Sequence, residues 1–229
     1  RDSNRVDISK NNSESVDAGY IIKIDKPTSE EGGCNTCYEN SFSFRSSYDT
    51  NGNQSNDSEI YFIYDYPKPD NITNDQKQFI YSTINEFETI LTSDNFDDPI
   101  EGYDNVIDVD TFIDFFIMNE IAKNPDGFRL STYMNKDTGG KLKMGPIWDF
   151  NLAFGNVDYC DGMNPEGWIY NFNTVCPSDI WQVPFWWGRL MESDSFREKL
   201  KERWLVLRSS ILSDSSITIR IDSYLEYLN

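Results

Sequence analysis

Histidine is absent from all 229 residues of the chain. Its absence excludes the Ser-His-Asp and Cys-His schemes of nucleophilic catalysis, because both need an imidazole as the general base. It also excludes every metal site that depends on an imidazole ligand. Any catalysis within this chain must therefore use carboxylates, amides, Lys, Tyr or a bound metal.

Positive charge is scarce, since 20 Lys and Arg residues accompany 39 Asp and Glu residues and the formal net charge is −19. Phosphate backbones would repel such a chain, so nucleic acid is not an expected partner. Anionic membrane surfaces are disfavoured for the same reason, and no stretch approaches the roughly 20 apolar residues of a membrane span. Cations, basic proteins and neutral glycans remain as partners.

Cysteine is rare as well, with Cys34, Cys37, Cys160 and Cys176 only. The even number favours disulfides and an exported protein. The C-x-x-C pair can also be half of a zinc site, but Cys160 and Cys176 are 16 residues apart, which makes zinc the weaker interpretation. The spacing leaves open whether the pairs are 34–37 and 160–176 or crossed.

Residues 1–70 are predicted to be β-rich. "NRVDIS" (4–9) alternates apolar and polar residues, and "GYIIKID" (19–25) and "IYFIYDYP" (60–67) contain many β-branched and aromatic residues, so all three are predicted strands. Residues 27–59 are polar, rich in Gly, Ser, Asn and Glu, and contain the C-x-x-C. This composition indicates a long loop or insertion.

Residues 71–229 are predicted to form a helical lobe of the same single domain, which spans 1–229. From Asn74 to Thr92 the apolar residues fall on one face at the helical period. Thr111–Lys123 is apolar nearly all round, which predicts a buried helix. That helix is expected to stop at Asn124-Pro125, since proline disfavours helical geometry in the residue before it.

The last part of the chain has helical patterns too. "VPFWWGRLM" (183–191) predicts a short helix whose aromatic residues pack in the core rather than bind a ligand. Ser195 and Glu198 have the spacing of a capping box at the start of a further helix. An apolar stripe follows at helical spacing and consists of Phe196, Leu200, Trp204, Leu207 and Ile211.

A β-hairpin is predicted within residues 128–149. Two short alternating runs flank Asp137-Thr138-Gly139-Gly140, a strong turn signal. Asp126 lies just before this hairpin and Asp149 just after its second strand. Because a hairpin returns the chain to near its start, these two carboxylates are predicted to lie close together, although 23 residues separate them in the sequence.

Asp149 stands between Trp148 and Phe150 in an apolar stretch, "PIWDFN". A carboxylate in such surroundings is costly unless something pairs with it. The hypothesis is a rigid, partly dry pocket in which Asp149 holds a cation. The structural alternatives are that Asp126 is an ordinary turn residue, and that Asp149 caps a helix or pairs with Lys or Arg.

Two converging loop carboxylates suit a divalent cation that arrives with substrate phosphates. Phosphoryl transfer needs positioning and charge neutralisation rather than an imidazole.

The run "FIDFFIMNEIAKNPDGFRLSTYMNKDTGGKLKMGPIWDFNLAFGN" (112–156) closely resembles the CotH kinase family, named for spore coat protein H. "NRVDISK", "GYIIKIDK" and "FWWGRLMESDSFREKLKERWLVLR" are similar to other segments of that family. The resemblance therefore touches most of the chain.

The resemblance implies an α+β, divergent protein-kinase-like fold, mainly the helical C-lobe, with a small N-terminal sheet and a hairpin that carries the metal-binding Asp. It implies phosphate transfer from ATP, with Mg²⁺ or Mn²⁺, to Ser of a protein substrate. Asp126 matches the catalytic Asp, Asp149 matches the metal-binding Asp, and Asn124 supports the cofactor site. Asn151, the further metal ligand, stands where many relatives have a second Asp, and the lost charge would weaken metal binding.

The resemblance leaves the phosphate-binding Lys open. In kinase-like folds this Lys and its Glu partner lie in the N-terminal half, but no Gly-rich loop precedes a Lys here, and Lys10, Lys23 and Lys26 are all candidates. Since relatives have further sequence before the matching segment, we expect the chain that begins at Arg1 to be a fragment lacking part of the nucleotide site.

Two functions follow as hypotheses. The first is a secreted, cell-surface or envelope-associated protein kinase that acts on a Ser-rich, basic protein. The alternative is a catalytically inactive, kinase-like extracellular module for binding or adhesion, which would hold a protein or glycan through exposed Tyr and Trp side chains in residues 159–187.

Overall fold

The structure, a computed structural model, describes residues 6–28, 31 and 33–228. In this part of the chain one antiparallel sheet has the strand order β2-β3-β1-β4-β5, and helices follow or interrupt the strands. The strands are β1 Tyr20–Ile24, β2 Ser43–Arg45, β3 Tyr61–Tyr66, β4 Thr132–Lys136 and β5 Lys143–Met144. The helices are α1 Asn74–Thr92, α2 Val109–Ala122, α3 Phe172–Val175, α4 Trp186–Leu190, α5 Asp194–Arg208 and α6 Asp214–Leu228. The predicted α+β class is confirmed.

The predicted strands 19–25 and 60–67 are confirmed as β1 and β3. Every residue of β1 is buried, because this strand pairs with β3 on one side and with β4 on the other. Ile22, for example, lies opposite Tyr64 of β3 and Met134 of β4. The central strand thus joins the N-terminal part of the chain to the hairpin.

Two expectations about the first 60 residues need correction. The predicted strand 4–9 is wrong for residues 6–9, which form no strand, whereas residues 4 and 5 lie outside the described part. Val6 and Ile8 are nevertheless buried in a cluster with Ile21, so their alternation with polar residues reflects the burial of one side of the segment. The polar segment 27–59 is also more than a loop, since it contributes the edge strand β2.

Helices α1 and α2 match their predicted positions closely. Thr73 caps α1, because its side chain accepts a hydrogen bond from the Gln76 N–H and the Gln76 side chain accepts one from the Thr73 N–H. Helix α2 ends at Ala122, and Lys123 then adopts a left-handed conformation with φ of 47°. This turn directs the chain into Asn124-Pro125, where the sequence predicted the helix end.

Aromatic side chains fill the space between the sheet and the helices. Trp186 of α4 stacks on Phe62 of β3 at 5.8 Å between ring centroids and meets Phe87 of α1 edge-on at 5.0 Å. Trp187 packs edge-on against Phe128, just before the hairpin, at 4.8 Å. Such pairs contribute about 0.5–1.5 kcal/mol each beyond their buried area. The prediction that the "FWW" aromatics belong to the core is confirmed for Trp186 and Trp187, whereas Phe185 is half-buried.

The predicted hairpin is confirmed as β4 and β5. Met134 lies opposite Met144 and Asn135 opposite Lys143, and the turn closes with a 2.9 Å hydrogen bond from the Gly140 N–H to the Asp137 carbonyl. Gly139 has φ of +65°, a conformation that side chains with a Cβ rarely adopt. Turn chemistry therefore fixed this element locally.

The chain divides into a unit that ends at Leu190 and a unit that begins at Met191. A single domain over 1–229 stays a prediction. In the second unit the capping box was predicted two residues too late: Ser193 caps α5, since its hydroxyl accepts from the Phe196 N–H at 3.3 Å. Helix α5 ends at Arg208, so Ile211 lies beyond the helix. The predicted apolar stripe is only partly buried.

The cysteines form two disulfides, Cys34–Cys37 and Cys160–Cys176. The disulfide prediction is confirmed, the crossed pairing is excluded, and no described cysteine is left to bind zinc. Within residues 6–28, 31 and 33–228, none of the helices is both long enough and apolar enough to cross a bilayer.

Candidate active site

Asp126 lies in a tight turn directly after α2. The Asn124 side chain organises this turn, because its Oδ1 accepts a hydrogen bond from the Asp126 N–H at 3.3 Å and its Nδ2 donates to Asn119 Oδ1 at 3.4 Å. The Gly127 N–H closes the turn by donating to the Asn124 carbonyl at 3.0 Å. Asn124 is buried, and its two side-chain hydrogen bonds hold the loop that carries Asp126. A cofactor contact by Asn124 stays a prediction.

Gly127 allows this turn to pack against α2. A Cβ at this position would lie 2.1 Å from Asn119 Oδ1, well inside van der Waals contact. Asn119 in turn donates to the Phe115 carbonyl at 3.0 Å and is itself buried. The glycine of "NPDG" therefore serves close packing, which fixes the distance of Asp126 from the helix.

Arg129 is the closest charged partner of Asp126. Its Nη2 donates to Asp126 Oδ1 at 2.7 Å, and its side chain is only 2% exposed whereas that of Asp126 is 19% exposed. Sequence reasoning missed this residue. The available signal was the i,i+3 spacing of opposite charges in "DGFR", which is too common to indicate a site.

Further charges surround Asp126. Burial raises the pKa of its carboxyl, Arg129 and then Lys26 lower it, and the carboxylates of Asp149 and Asp25 raise it. Asp126 is thus within electrostatic reach of one residue after the hairpin and of two residues after β1. The predicted proximity of Asp126 and Asp149 agrees with the effect of Asp149 on the pKa of Asp126. A carboxyl with a raised pKa binds a proton more readily, which suits a general base.

Asp25 and Lys26 enter the site because β1 ends beside the hairpin. The Asp25 carboxylate accepts a hydrogen bond from the Lys26 N–H at 2.9 Å and forms an ion pair with the buried Lys23 at 3.4 Å. The Lys26 ammonium lies 4.2 Å from the centroid of the Trp181 ring. These residues separate the candidate lysines, since Lys23 is paired in the sheet and Lys26 is the one that acts on Asp126.

Asp149 does not lie in a partly dry pocket, and that hypothesis is wrong. Asp149 is exposed, as are its neighbours Ile147 and Trp148, with Trp148 50% exposed. The apolar residues around it in the sequence do not surround it in space, because the chain leaves the sheet after β5 and turns outward. Asp149 itself has a left-handed φ of 59°.

Asn151 is also exposed, and its carbonyl accepts a hydrogen bond from Asn156 Nδ2 at 2.7 Å. Within the described residues no group of three or more His, Cys, Asp or Glu side chains can hold a metal ion. The oxygen donors of Asp126, Asp149 and Asn151 are therefore too few for an ion held by protein alone. Metal binding by Asp149 and Asn151 stays a prediction.

The alternative, a binding module, depends on exposed aromatic residues in 159–187. Tyr159 and Trp168 are about half exposed, whereas Trp186 and Trp187 are buried in the core. Tyr159 also donates a short hydrogen bond to Asp179. The aromatic surface of this segment is accordingly small.

The chain was also compared with known protein families, curated proteins and solved structures. A family model described as "CotH kinase protein" matches residues 2–229. Comparison with curated proteins finds no match, and comparison with solved structures finds none either. The family model extends well beyond the 112–156 block and includes the sheet, the helices and the site residues.

Proposed function

The chain belongs to the CotH kinase family, and from that premise we propose that it transfers the γ-phosphoryl group of ATP to Ser hydroxyls of a protein substrate. The observation that carries the proposal is the hairpin β4–β5, which returns the chain from the Asp126 turn towards Asp149. The carboxylate of Asp149 also helps to raise the pKa of Asp126, which supports their proximity. The order helix, Asp, hairpin, Asp is also the order in which protein kinases present their catalytic and metal-binding Asp residues. A kinase-like arrangement of sheet and helices is part of this proposal.

Asp126 acts on the acceptor in this mechanism. Its carboxylate accepts a hydrogen bond from the Ser hydroxyl and orients it. It takes the hydroxyl proton as the oxygen attacks the γ-phosphorus, while the bond from that phosphorus to the bridging oxygen breaks and ADP leaves. One oxygen, Oδ1, is bonded to Arg129, which fixes the carboxyl group. The Asn124 side chain and Gly127 fix the backbone beneath it.

Asp149, with Asn151 as a weaker neighbour, holds the divalent cation of the nucleotide. Carboxylate and amide oxygens are hard ligands of the kind that Mg²⁺ and Mn²⁺ prefer. When bound, the cation neutralises the negative charge of the phosphates. The exposure of Asp149 fits a residue that meets an incoming nucleotide rather than one that closes a permanent metal site.

Lys26 is the proposed phosphate-binding lysine. Its positive charge lowers the pKa of Asp126, which supports a position near the phosphate that is transferred. Lys23 is the weaker candidate, because it is buried and paired with Asp25. Lys10, the third candidate from the sequence, is exposed.

The substrate class and the location follow from charge and cysteine chemistry. A net charge of −19 favours a Ser-rich protein with a basic surface. Two disulfides favour an oxidising environment outside the cytosol, such as a secreted, cell-surface or envelope-associated position.

The test measures transfer from labelled ATP, with Mg²⁺ or Mn²⁺, to a Ser-rich basic protein. Asp126→Asn should lower kcat by about 10²–10⁴-fold, since the base is lost. Asp149→Ala should abolish binding of the metal–nucleotide complex while circular dichroism shows an intact fold. Asp110→Asn is the matched control, because Asp110 is exposed and lies in the first turn of α2, whereas Asp126 follows the other end of that helix.

The outcomes separate the two functions. Normal nucleotide binding by Asp149→Ala would remove the metal assignment. If neither the unmodified chain nor a longer chain that contains it transfers phosphate or binds nucleotide, the inactive binding module is favoured.

A further inference from the structure

Arg129 joins the proposed base to a second carboxylate that the mechanism does not use. Besides its 2.7 Å bond to Asp126, the guanidinium forms an ion pair with Asp179 at 3.3 Å. Arg129 and Asp179 are 2% and 3% exposed, so water screens their charges little. An arginine between two carboxylates fixes both of them, because its planar group has a rigid geometry of donors.

The rest of the guanidinium is occupied as well. Its Nε donates to the Pro125 carbonyl at 2.8 Å and its Nη1 to the Trp181 carbonyl at 3.1 Å. The Phe172 ring lies beneath it, 4.0 Å from the guanidinium carbon to the ring centroid. Arg129 is therefore tied on one side to the Asp126 turn and on the other to the segment 172–181.

Asp179 is held in place from two directions. Its carboxylate accepts a short hydrogen bond from the Tyr159 hydroxyl and a 2.8 Å bond from the Trp181 N–H. Its own N–H donates to the Cys176 carbonyl at 3.1 Å. The position of Asp179 accordingly depends on both ends of the segment 159–179.

The Cys160–Cys176 disulfide joins the same two ends. Cys160 follows Tyr159 directly, and Cys176 lies three residues before Asp179. The covalent bond and the Tyr159–Asp179 hydrogen bond thus close one loop at almost the same place. Without the disulfide, the hydrogen bond alone would have to close the loop, and loop closure costs conformational entropy.

We propose that Tyr159, Asp179 and Arg129 form a positioning network for Asp126, and that the Cys160–Cys176 disulfide keeps this network assembled. The inference rests on the proposed function, since it assigns the network a role in phosphate transfer. None of the three residues needs to touch substrate. They act through the carboxylate of Asp126, whose orientation towards the Ser hydroxyl they fix.

The first measurement is steady-state kinetics of two variants that disturb the network without removing a buried charge. Tyr159→Phe deletes one hydroxyl, and Cys160→Ser/Cys176→Ser opens the loop. Each should lower kcat on the order of tenfold and leave the KM for ATP within about twofold, because misorientation of the base affects the chemical step and not nucleotide binding.

Matched controls exist for both variants. Tyr170→Phe changes a tyrosine in the same segment whose hydroxyl lies outside the network, and Cys34→Ser/Cys37→Ser removes the other disulfide, which spans three residues only. Both controls should retain the kcat of the unmodified chain. Losses of the same size in the controls would overturn the inference, since they would indicate a general loss of structure.

The second measurement does not require activity. Amide hydrogen exchange of the nucleotide-free chain reports the turn itself, where the Arg129 and Leu130 N–H groups donate to the Asp126 carbonyl at 3.1 and 2.9 Å. Exchange at these amides should become on the order of tenfold faster in the two network variants and stay unchanged in the controls.

The two measurements separate failure of this inference from failure of the proposed function. Unchanged exchange in both network variants would overturn the inference whether or not the chain is active. Faster exchange with an unchanged kcat would overturn it as well, because the turn would then move without consequence for transfer. If neither the unmodified chain nor a longer chain that contains it transfers phosphate or binds nucleotide, the proposed function is contradicted instead.

Discussion

At the scale of single residues, the site is governed by which charges are buried. Arg129 and Asp179 are almost fully buried, Asp126 is partly buried, and Asp149 is exposed. A buried ion pair gives little net stability compared with apolar residues, but its two partners depend on each other strongly. The proposed base therefore lies beside a charged pair that cannot be altered on one side only.

The first prediction concerns stability. Arg129→Met should lower the free energy of unfolding by about 3–5 kcal/mol, because Asp179 would remain as an uncompensated buried charge. Urea denaturation followed by tryptophan fluorescence measures this change. Asp179 loses its ion-pair partner in this variant although the methionine retains much of the arginine volume.

Lys68→Met is the control for this prediction. Lys68 forms a 3.0 Å ion pair with Asp65 at the surface, and its side chain is largely exposed. Its loss should change stability by no more than about 1 kcal/mol. A similar small effect of Arg129→Met would contradict the importance of the buried pair.

At the scale of elements, one buried carboxyl joins three of them. Glu88 of α1 lies 2.8 Å from the Ser46 hydroxyl, just after β2, and accepts a 3.1 Å hydrogen bond from the Trp186 N–H of α4. Burial raises the pKa of Glu88 to about 8, against the opposing effect of the two hydrogen bonds. The carboxyl is therefore protonated at neutral pH in the folded chain.

This protonation makes stability depend on pH. In the unfolded chain Glu88 loses its proton near pH 4.5, so between there and about pH 8 the folded state binds one proton more. The stability that Glu88 contributes is fully present below pH 4.5 and is lost as the pH rises through about 8. In the unmodified chain the free energy of unfolding should therefore fall by on the order of a few kcal/mol over this pH range. Glu88→Gln should remove most of this fall, because glutamine is neutral at every pH.

Denaturation at several pH values between about 5 and 9 measures the slope. Glu86→Gln on the exposed face of the same helix is the control and should retain the slope of the unmodified chain. Parallel curves for the chain and Glu88→Gln would show that Glu88 is ionised in the folded state.

At the scale of the whole molecule, the excess of negative charge is the dominant property. With a formal net charge of −19, the chain attracts basic partners over a distance set by the ionic strength. Such attraction increases the rate of encounter more than the rate of the chemical step. It provides a way to examine the proposed substrate class without knowing the substrate.

The third prediction follows from this charge. The KM for a basic, Ser-containing peptide should rise several-fold between about 50 and 300 mM salt, because screening weakens the attraction. The kcat should change little. A neutral peptide with the same Ser and flanking residues is the control, and its KM should stay nearly constant. An equal rise for both peptides would contradict a preference for basic substrates.

Much of the fold could be predicted from the sequence, because helix period, strand alternation and turn chemistry depend on residues a few positions apart. Asn74–Thr92 and the turn at 137–140 are correct for this reason, as is the burial of Trp186 and Trp187. The resemblance of residues 112–156 to the CotH kinase family is the same kind of local pattern, and the family match over residues 2–229 confirms it.

The surroundings of the site depend on contacts between segments that are far apart in the sequence. Arg129 and Asp179 are 50 residues apart in the sequence, so no local pattern indicates their ion pair. The exposure of Asp149 is likewise opposite to what its apolar neighbours in the sequence suggest. Contacts between distant segments depend on how the elements pack around the shared aromatic core, whereas local patterns record only which side of an element faces it.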